Sequence, residues 1–156
     1  MKAVHFGAGK IGRGFIADLI HETGYEITFV DVNEKLNDEL NKYHNYYLYL
    51  IEDNYQRKEI DHVSALSPIT QPEEVTDAIV EADLVTTAVL ADNFPKIARS
   101  LAQGLKARLE AGKTKVNVIP CENALFCGDM LRRNHKDGNH YQRRTRSDCS
   151  SAKYSS

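Results

Sequence analysis

The chain of 156 residues is long enough for one hydrophobic core, and a domain of this size buries roughly two-thirds of its unfolded surface without staples. It has no apolar run long enough to cross a bilayer and no basic segment followed by a signal-type apolar stretch, so a soluble cytoplasmic protein with no membrane partner is expected. The net charge of −2 hides an asymmetry, since seven Lys and Arg face two Asp from Arg132 onward. That leaves about −7 on residues 1–131, an acidic body that argues against a nucleic-acid surface.

Ala3 to Phe6 is a short apolar run that leads directly into glycines, as a buried parallel strand feeding a tight turn does. Ile11, Phe15, Ile16, Leu19 and Ile20 then keep helical spacing, and Gly24 stands where that helix ends. Ile27 to Val30 is a second strand, ending in Asp31, and Asn33 is placed to cap a helix carrying Leu36 and Leu40 on one face. Tyr46 to Ile51 reads as a third strand, and Ile60 to Leu66 as an additional one before the turn at Ser67–Pro68. Pro72, Glu73 and Glu74 open a helix with Val75 and Ile79 inward. Leu84 to Val89 is a strand. Asn93 is expected to cap the longest helix, with Phe94, Ile97, Ala98, Leu101, Leu105 and Leu109 on its inner face and Gly112 at its end. Val116 to Ile119 is the last predicted strand.

Strands alternating with helices predict an α/β fold: a Rossmann-type, doubly wound, mainly parallel sheet. After Leu131 there is no Leu, Ile, Val, Phe or Met, so the fold is expected to occupy 1–133, with 134–156 a polar, basic, disordered tail.

The most informative string is Gly7-Ala8-Gly9-Lys10-Ile11-Gly12. A GxGxxG alone is weak, but here a strand precedes it, a helix follows it, and Asp31 ends the next strand 19 residues beyond Gly12. Gly7 permits the turn, Gly9 leaves room for a pyrophosphate against the backbone, and Gly12 lets the helix pack on the strand. The helix N-terminus turns unpaired N–H groups toward the phosphates. Asp31 suits the adenosine ribose hydroxyls and would repel a 2′-phosphate, which favours NAD over NADP. A P-loop is excluded because Arg13 and Gly14 stand where Lys and Ser or Thr are needed. A methyltransferase-type Rossmann domain and a cofactor-holding module without chemistry both remain open at this point.

Thr87, Ala88 and Val89 end the strand expected across the topological switch point, where ligands sit in open α/β sheets. Glu122 and Asn123 follow the last strand in the same layer and are candidates for the nicotinamide side. His5 reads as a satisfied core histidine, while His44, His62, His135 and His140 show no metal spacing, so no metal is expected. Tyr43, Tyr46, Tyr47 and Tyr49 read as strand packing. Cys121, Cys127 and Cys149 match neither a paired zinc pattern nor a CxxC and read as free thiols, with Cys121 the one nearest a ligand.

The string Lys2-Ala3-Val4-His5-Phe6-Gly7-Ala8-Gly9-Lys10-Ile11-Gly12-Arg13-Gly14-Phe15-Ile16 resembles the start of the bacterial mannitol-1-phosphate 5-dehydrogenases, a family of long-chain polyol dehydrogenases. Thr28 to Asn33, Asp83 to Val89 and Cys121-Glu122-Asn123 agree with it, and the likeness covers about Met1 to Arg133. The resemblance implies NAD-dependent, reversible oxidation of D-mannitol 1-phosphate to D-fructose 6-phosphate, with Ala3 to Gly14 as the cofactor segment. Lys10 departs from the Asn most expected at its position.

The resemblance also implies a second, mainly helical domain carrying the polyol site and a Lys-x4-Asn-x2-His motif for the general base. No lysine in this chain begins that spacing, so no catalytic residue is nominated. The isolated chain is expected to bind cofactor and turn over little or nothing, because nothing here takes the hydroxyl proton or holds the substrate phosphate. Loss of a partner domain would expose apolar surface, which makes self-association an expectation. Read one nucleotide later, codons permitted for His135 onward encode a peptide with apolar residues that is similar to the family's continuation. A shift of frame near codon 134 is therefore expected.

Overall fold

The computed structural model describes residues 1–50 and 56–137. Strand β1 (Lys2–Phe6) runs into the glycine turn, and the chain re-enters helix through one wide turn over Gly12–Ile16, in which the Ala17 N–H reaches back five residues to the Gly12 carbonyl. Helix α1 (Ala17–Glu22) completes that segment. Next come β2 (Glu26–Val30), α2 (Glu34–Tyr43) and a hairpin of β3 (Tyr46–Leu50) with β4 (Gln56–Ile60). The rest is β5 (Val63–Leu66), α3 (Pro72–Glu81), β6 (Leu84–Thr87), α4 (Phe94–Glu110), β7 (Asn117–Pro120) and α5 (Cys127–Asp137).

Five strands form a parallel sheet in the order β5-β2-β1-β6-β7. Strand order therefore reverses between β1 and β6, where β1 pairs Phe6 with Thr87 at the carboxyl ends. Alternation along β1 sends its side chains into two separate cores. Ala3 joins Ile27, Phe29 and Ala65 beneath α1, α2 and the hairpin, while Val4 and Phe6 join Val30, Val85 and Phe94 beneath α3, α4 and α5. The doubly wound expectation is met.

Several expectations from sequence change. Tyr46–Leu50 is a strand, but it pairs antiparallel with β4 outside the central sheet; Ile51 lies outside the described residues. The segment Ile60 to Leu66 is two elements, because left-handed backbone at His62 (φ 52°) breaks it. Ile60 closes the hairpin, and Val63–Leu66 becomes the third strand beside β2. The Leu84 to Val89 strand ends at Thr87. Asn33 caps α2 by accepting the Leu36 N–H at 3.2 Å, as read. Asn93 does not cap α4: its amide donates to the Val89 carbonyl instead.

Two further differences concern helices. Helix α5 carried no recognisable signal, and it continues past residue 133 to Asp137, with Leu131 buried and Cys127 and Met130 packed beside it. On α4, Leu109 is 66% exposed, whereas Gly104 and Arg108 are buried. The Arg108 guanidinium donates to the carbonyls of Val80 (2.6 Å), Ala82 (2.8 Å) and Ile79 (3.3 Å), and through Nε to that of Thr114. Carbonyls at the end of α3 thus receive a positive group, which also suits the helix dipole.

Gly104 sets how closely α4 approaches α3. A Cβ there would lie 2.5 Å from Ile79 Cδ1 and 2.6 Å from Ile79 Cβ, too close to the branch point for rotation to relieve. On an exposed helix, Gly→Ala stabilises by about 1 kcal/mol. At this position overpacking dominates, and Gly104→Ala is expected to lower stability by about 2 kcal/mol in urea unfolding. A gain would show that the helices can separate freely.

Candidate functional site: a crevice at the strand-order reversal

The glycine turn occupies the carboxyl end of β1. Gly7 has φ 98°, its N–H donates to the Val30 carbonyl at 2.9 Å, and a Cβ on it would sit 2.5 Å from the Ala88 carbonyl oxygen. Both the backbone angle and the contact demand glycine. At Gly12 a Cβ would meet the Gly7 carbonyl oxygen at 2.0 Å and His5 Nε2 at 2.7 Å. Gly9 differs, since a Cβ there meets nothing within 4 Å. The open side of the turn is therefore at Gly9, where a ligand can approach the backbone.

Asp31 faces this turn from the end of β2. Its carboxylate accepts the Ala8 N–H at 2.7 Å through Oδ2 and the Asn33 N–H at 2.9 Å through Oδ1. Each oxygen keeps a further lone-pair direction for a hydroxyl donor. Asn37, buried on α2, donates to the Asp31 carbonyl at 2.8 Å and holds the strand end in place. On the other side, Arg13 Nε donates to the Ala8 carbonyl at 2.7 Å, and the Tyr46 hydroxyl donates to the Arg13 carbonyl at 2.7 Å. Burial raises the Tyr46 pKa, the positive Arg13 opposes this in part, and the hydroxyl stays a proton donor.

The second wall of the crevice is the segment after β6. The Ala88 N–H donates to the Phe6 carbonyl at 2.8 Å, and the Cys121 N–H to the Thr87 carbonyl at 2.8 Å. Glu122 accepts from Thr87 Oγ1 (3.1 Å) and the Val89 N–H (2.8 Å) on one oxygen and from the Leu90 N–H (2.9 Å) on the other. Asn123 is exposed beside it.

The structure thus brings Gly7, Ala8, Gly9, Gly12, Arg13, Asp31, Thr87, Ala88, Val89 and Glu122 around one crevice. Lys10, Ile11 and Gly14 are exposed or open along the loop and the following turn. Ala3, Val4 and Phe6 instead bury their side chains in the two cores and deliver the loop from behind. Leu90, with φ 67°, and Asn37 carry no signal in the sequence, and Tyr46 reads there only as strand packing. Their roles rest on backbone partners that no local pattern marks.

The tyrosine reading needs correction. Tyr46 packs on the core, but Tyr43, Tyr47 and Tyr49 are exposed. Lys42 lies over Tyr43 (5.0 Å) and Arg57 over Tyr47 (4.4 Å), which shields their rings from outside the core. Cys121 and Cys127 are free thiols, and Cys149 lies outside the described residues. Burial, followed by the neighbouring Glu122 charge, pushes the Cys121 thiol above its usual range, so it is a poor nucleophile near neutrality.

Among the described residues no group of three or more His, Cys, Asp or Glu is placed to hold a metal, and no helix is long and apolar enough to cross a membrane. A shallow cavity of about 590 Å³ lies at the opposite end of the sheet, lined by Lys2, Glu26, Thr28, Ser64 and Asp77 among others. Ligands of open α/β sheets sit at the carboxyl ends of the strands, so the crevice is the better candidate despite that volume.

Comparison with known proteins follows this geometry. The family model described as the mannitol dehydrogenase Rossmann domain matches residues 1–145. The mannitol-1-phosphate 5-dehydrogenase of Shouchella clausii is 47% identical over 133 residues, 85% of this chain and 35% of that protein. That of Oceanobacillus iheyensis is 43% identical over 130 residues, 83% of this chain and 34% of that protein. The chain spans about a third of the length of the curated relatives it matches. Among solved structures it is similar in fold to Pseudomonas fluorescens mannitol 2-dehydrogenase in a ternary complex with NAD and D-mannitol, with a TM-score of 0.75 at 18% identity over 86% of this chain and 36% of that one. A D-sorbitol dehydrogenase gives 0.73 at 17%, over 85% and 36%.

His5 lies under the loop, wholly buried, with Nδ1 2.6 Å from Thr86 Oγ1, its ring edge-on to Phe29, and no hydrogen-bond partner of good geometry at Nε2. Burial pushes its pKa down to about 4 from 6.5, and the nearby Gly7 backbone opposes this only in part. The unfolded chain takes up the proton first, so stability is complete above about pH 6.5 and is lost as the pH falls toward 4. The loss expected over that window is roughly 3 kcal/mol. Urea unfolding across pH 4–7 should show this slope, and His5→Asn should flatten it. A slope unchanged in the variant would assign it to other groups.

Proposed function

Because this chain belongs to the mannitol dehydrogenase Rossmann-domain family, we propose that it is the dinucleotide-binding part of an oxidoreductase and that its cofactor is NAD. The observation that carries this reading is the open face at Gly9, flanked by Gly7 and Gly12 in positions that exclude any side chain and by the Asp31 carboxylate. The backbone N–H groups after Gly9 and the start of the helix would hold the pyrophosphate. Asp31 would accept from the adenosine ribose hydroxyls through its remaining lone pairs, and its charge would disfavour a 2′-phosphate. Thr87, Ala88 and Val89 would line the passage toward the nicotinamide, with Asn123 at its outer end. When bound, NAD+ supplies the acceptor for a hydride from a substrate carbon.

For the substrate we take the one that names the relatives, mannitol 1-phosphate, and the reaction that the family resemblance implies, its oxidation by NAD+ to D-fructose 6-phosphate, NADH and a proton. No Lys-x4-Asn-x2-His spacing occurs in these 156 residues, so the general base that the family resemblance implies is assigned to none of them. The role proposed for this chain by itself is to hold and orient the cofactor.

Titration of NADH fluorescence with the whole chain tests the cofactor reading, and an assay of mannitol 1-phosphate oxidation in the same preparation tests the division of labour. Binding with negligible turnover is expected. Absence of NADH binding would sink the first reading, and sustained turnover the second. Asp31→Ala should weaken NADH about tenfold or more and NADPH by less, the loss of a charge-assisted bond to a hydroxyl being worth about 1.5–3 kcal/mol. Equal losses for both nucleotides would remove the ribose role.

A further inference from the structure

The carboxylate of Glu122 is largely committed within the protein. Its Oε1 accepts the Val89 N–H and the Thr87 hydroxyl and its Oε2 accepts the Leu90 N–H, so three of its four lone-pair directions are taken before any ligand arrives. We propose that Glu122 is a positioning residue that presets the 88–90 segment as the floor for the nicotinamide half of the cofactor, an inference that rests on the cofactor reading above.

Three observations support it. Leu90 holds φ 67° and ψ 138°, a conformation that a branched side chain adopts only when its surroundings impose it. Its side chain is 69% exposed, so the strain secures no burial. Its N–H is held by Glu122 Oε2 at 2.9 Å and its carbonyl by the Asn93 N–H at 2.9 Å, while Val89 and Ala91 on either side pack on the core. Strain at an exposed residue, held by polar bonds of which the carboxylate supplies the charged one, is the kind found where a backbone must be held ready for a ligand.

The clamped segment also touches the glycine turn. The Ala88 carbonyl oxygen and Val89 Cγ1 are the atoms that a side chain on Gly7 would strike, at 2.5 and 3.0 Å. Any drift of residues 88–90 therefore alters the crevice between β1 and β6, where strand order reverses. Thr87 is itself pinned through the Cys121 N–H, so Glu122 fixes the part of the wall beyond the last sheet hydrogen bond. The adenosine half would be held at Gly9 and Asp31, on the β2 side of the turn and away from this clamp.

Glu122→Gln is the decisive variant. It keeps the shape but replaces one acceptor oxygen with an NH2 that faces a backbone N–H. With the full chain, NADH affinity should fall about tenfold while ADP, which carries only the adenosine half, binds within twofold of the unaltered protein. Thermal melting of the same samples verifies that the variant is folded. Equal weakening of NADH and ADP would reduce Glu122 to a general structural role, and unchanged NADH binding would overturn its role altogether. Failure of the unaltered chain to bind NADH would overturn the cofactor reading and this inference together. Should the variant not fold, hydrogen exchange at Val89 and Leu90 in the unaltered chain decides the matter. Both amides are expected to be protected before NADH is added, and free exchange there would contradict a preset floor.

Discussion

Helix and strand meet so closely at Gly12 that one added methyl group would lie 2.0 Å from the Gly7 carbonyl oxygen and 2.7 Å from His5 Nε2. Everything on the ligand side follows from this approach. It forces the chain to turn sharply at Gly7, which lays the open backbone of Gly9 at the carboxyl end of β1. It also buries His5 with no hydrogen-bond partner of good geometry at Nε2, and that burial keeps a basic side chain uncharged beneath the glycine turn. The wide helical turn over Gly12–Ile16 is a further consequence of joining a sharp turn to a helix pressed against the sheet.

Close approach at one site is matched by polar locks at others. Asp31 ties the turn to β2 through the Ala8 N–H, and Glu122 ties the facing segment to β7 through Val89 and Leu90. Each lock uses a carboxylate that accepts backbone N–H groups, among the stronger hydrogen bonds available to a protein. Arg108 does the converse on the far face, giving its guanidinium to carbonyls at the end of α3. Both sides of the crevice are thus tied by carboxylates bound to backbone, with Val89 also packed on the apolar core.

The sheet was legible in the sequence because its signals are local. Apolar runs ending in glycine or aspartate mark β1 and β2, and the GxGxxG context places the turn, Asp31 and the switch-point strand. The hairpin was not legible as such: Tyr46–Leu50 has the composition of a sheet strand, and only the left-handed backbone at His62 separates β4 from β5. Periodicity placed Leu109 inward on α4 and could not foresee that Arg108 would be buried instead, since its partners are carbonyls that any sequence would supply. For the same reason Glu122 was recognisable as a candidate but not as a clamp. Its partners are the backbone of residues more than thirty positions away. Among the described side chains, helix α5 offers Cys127, Met130 and Leu131 to the core, too few for a pattern to emerge.

The central claim, that a dinucleotide lies across the carboxyl ends of β1 and β6, is tested most directly by mapping backbone amide shifts of the isotopically labelled chain as NAD is added. Perturbations should cluster on Gly7 to Gly14, Asp31, Thr87 to Leu90 and Glu122 to Asn123, leaving the opposite end of the sheet near Lys2, Glu26 and Ser64 unchanged. Shifts concentrated at that opposite end, or none at saturating NAD, would contradict it.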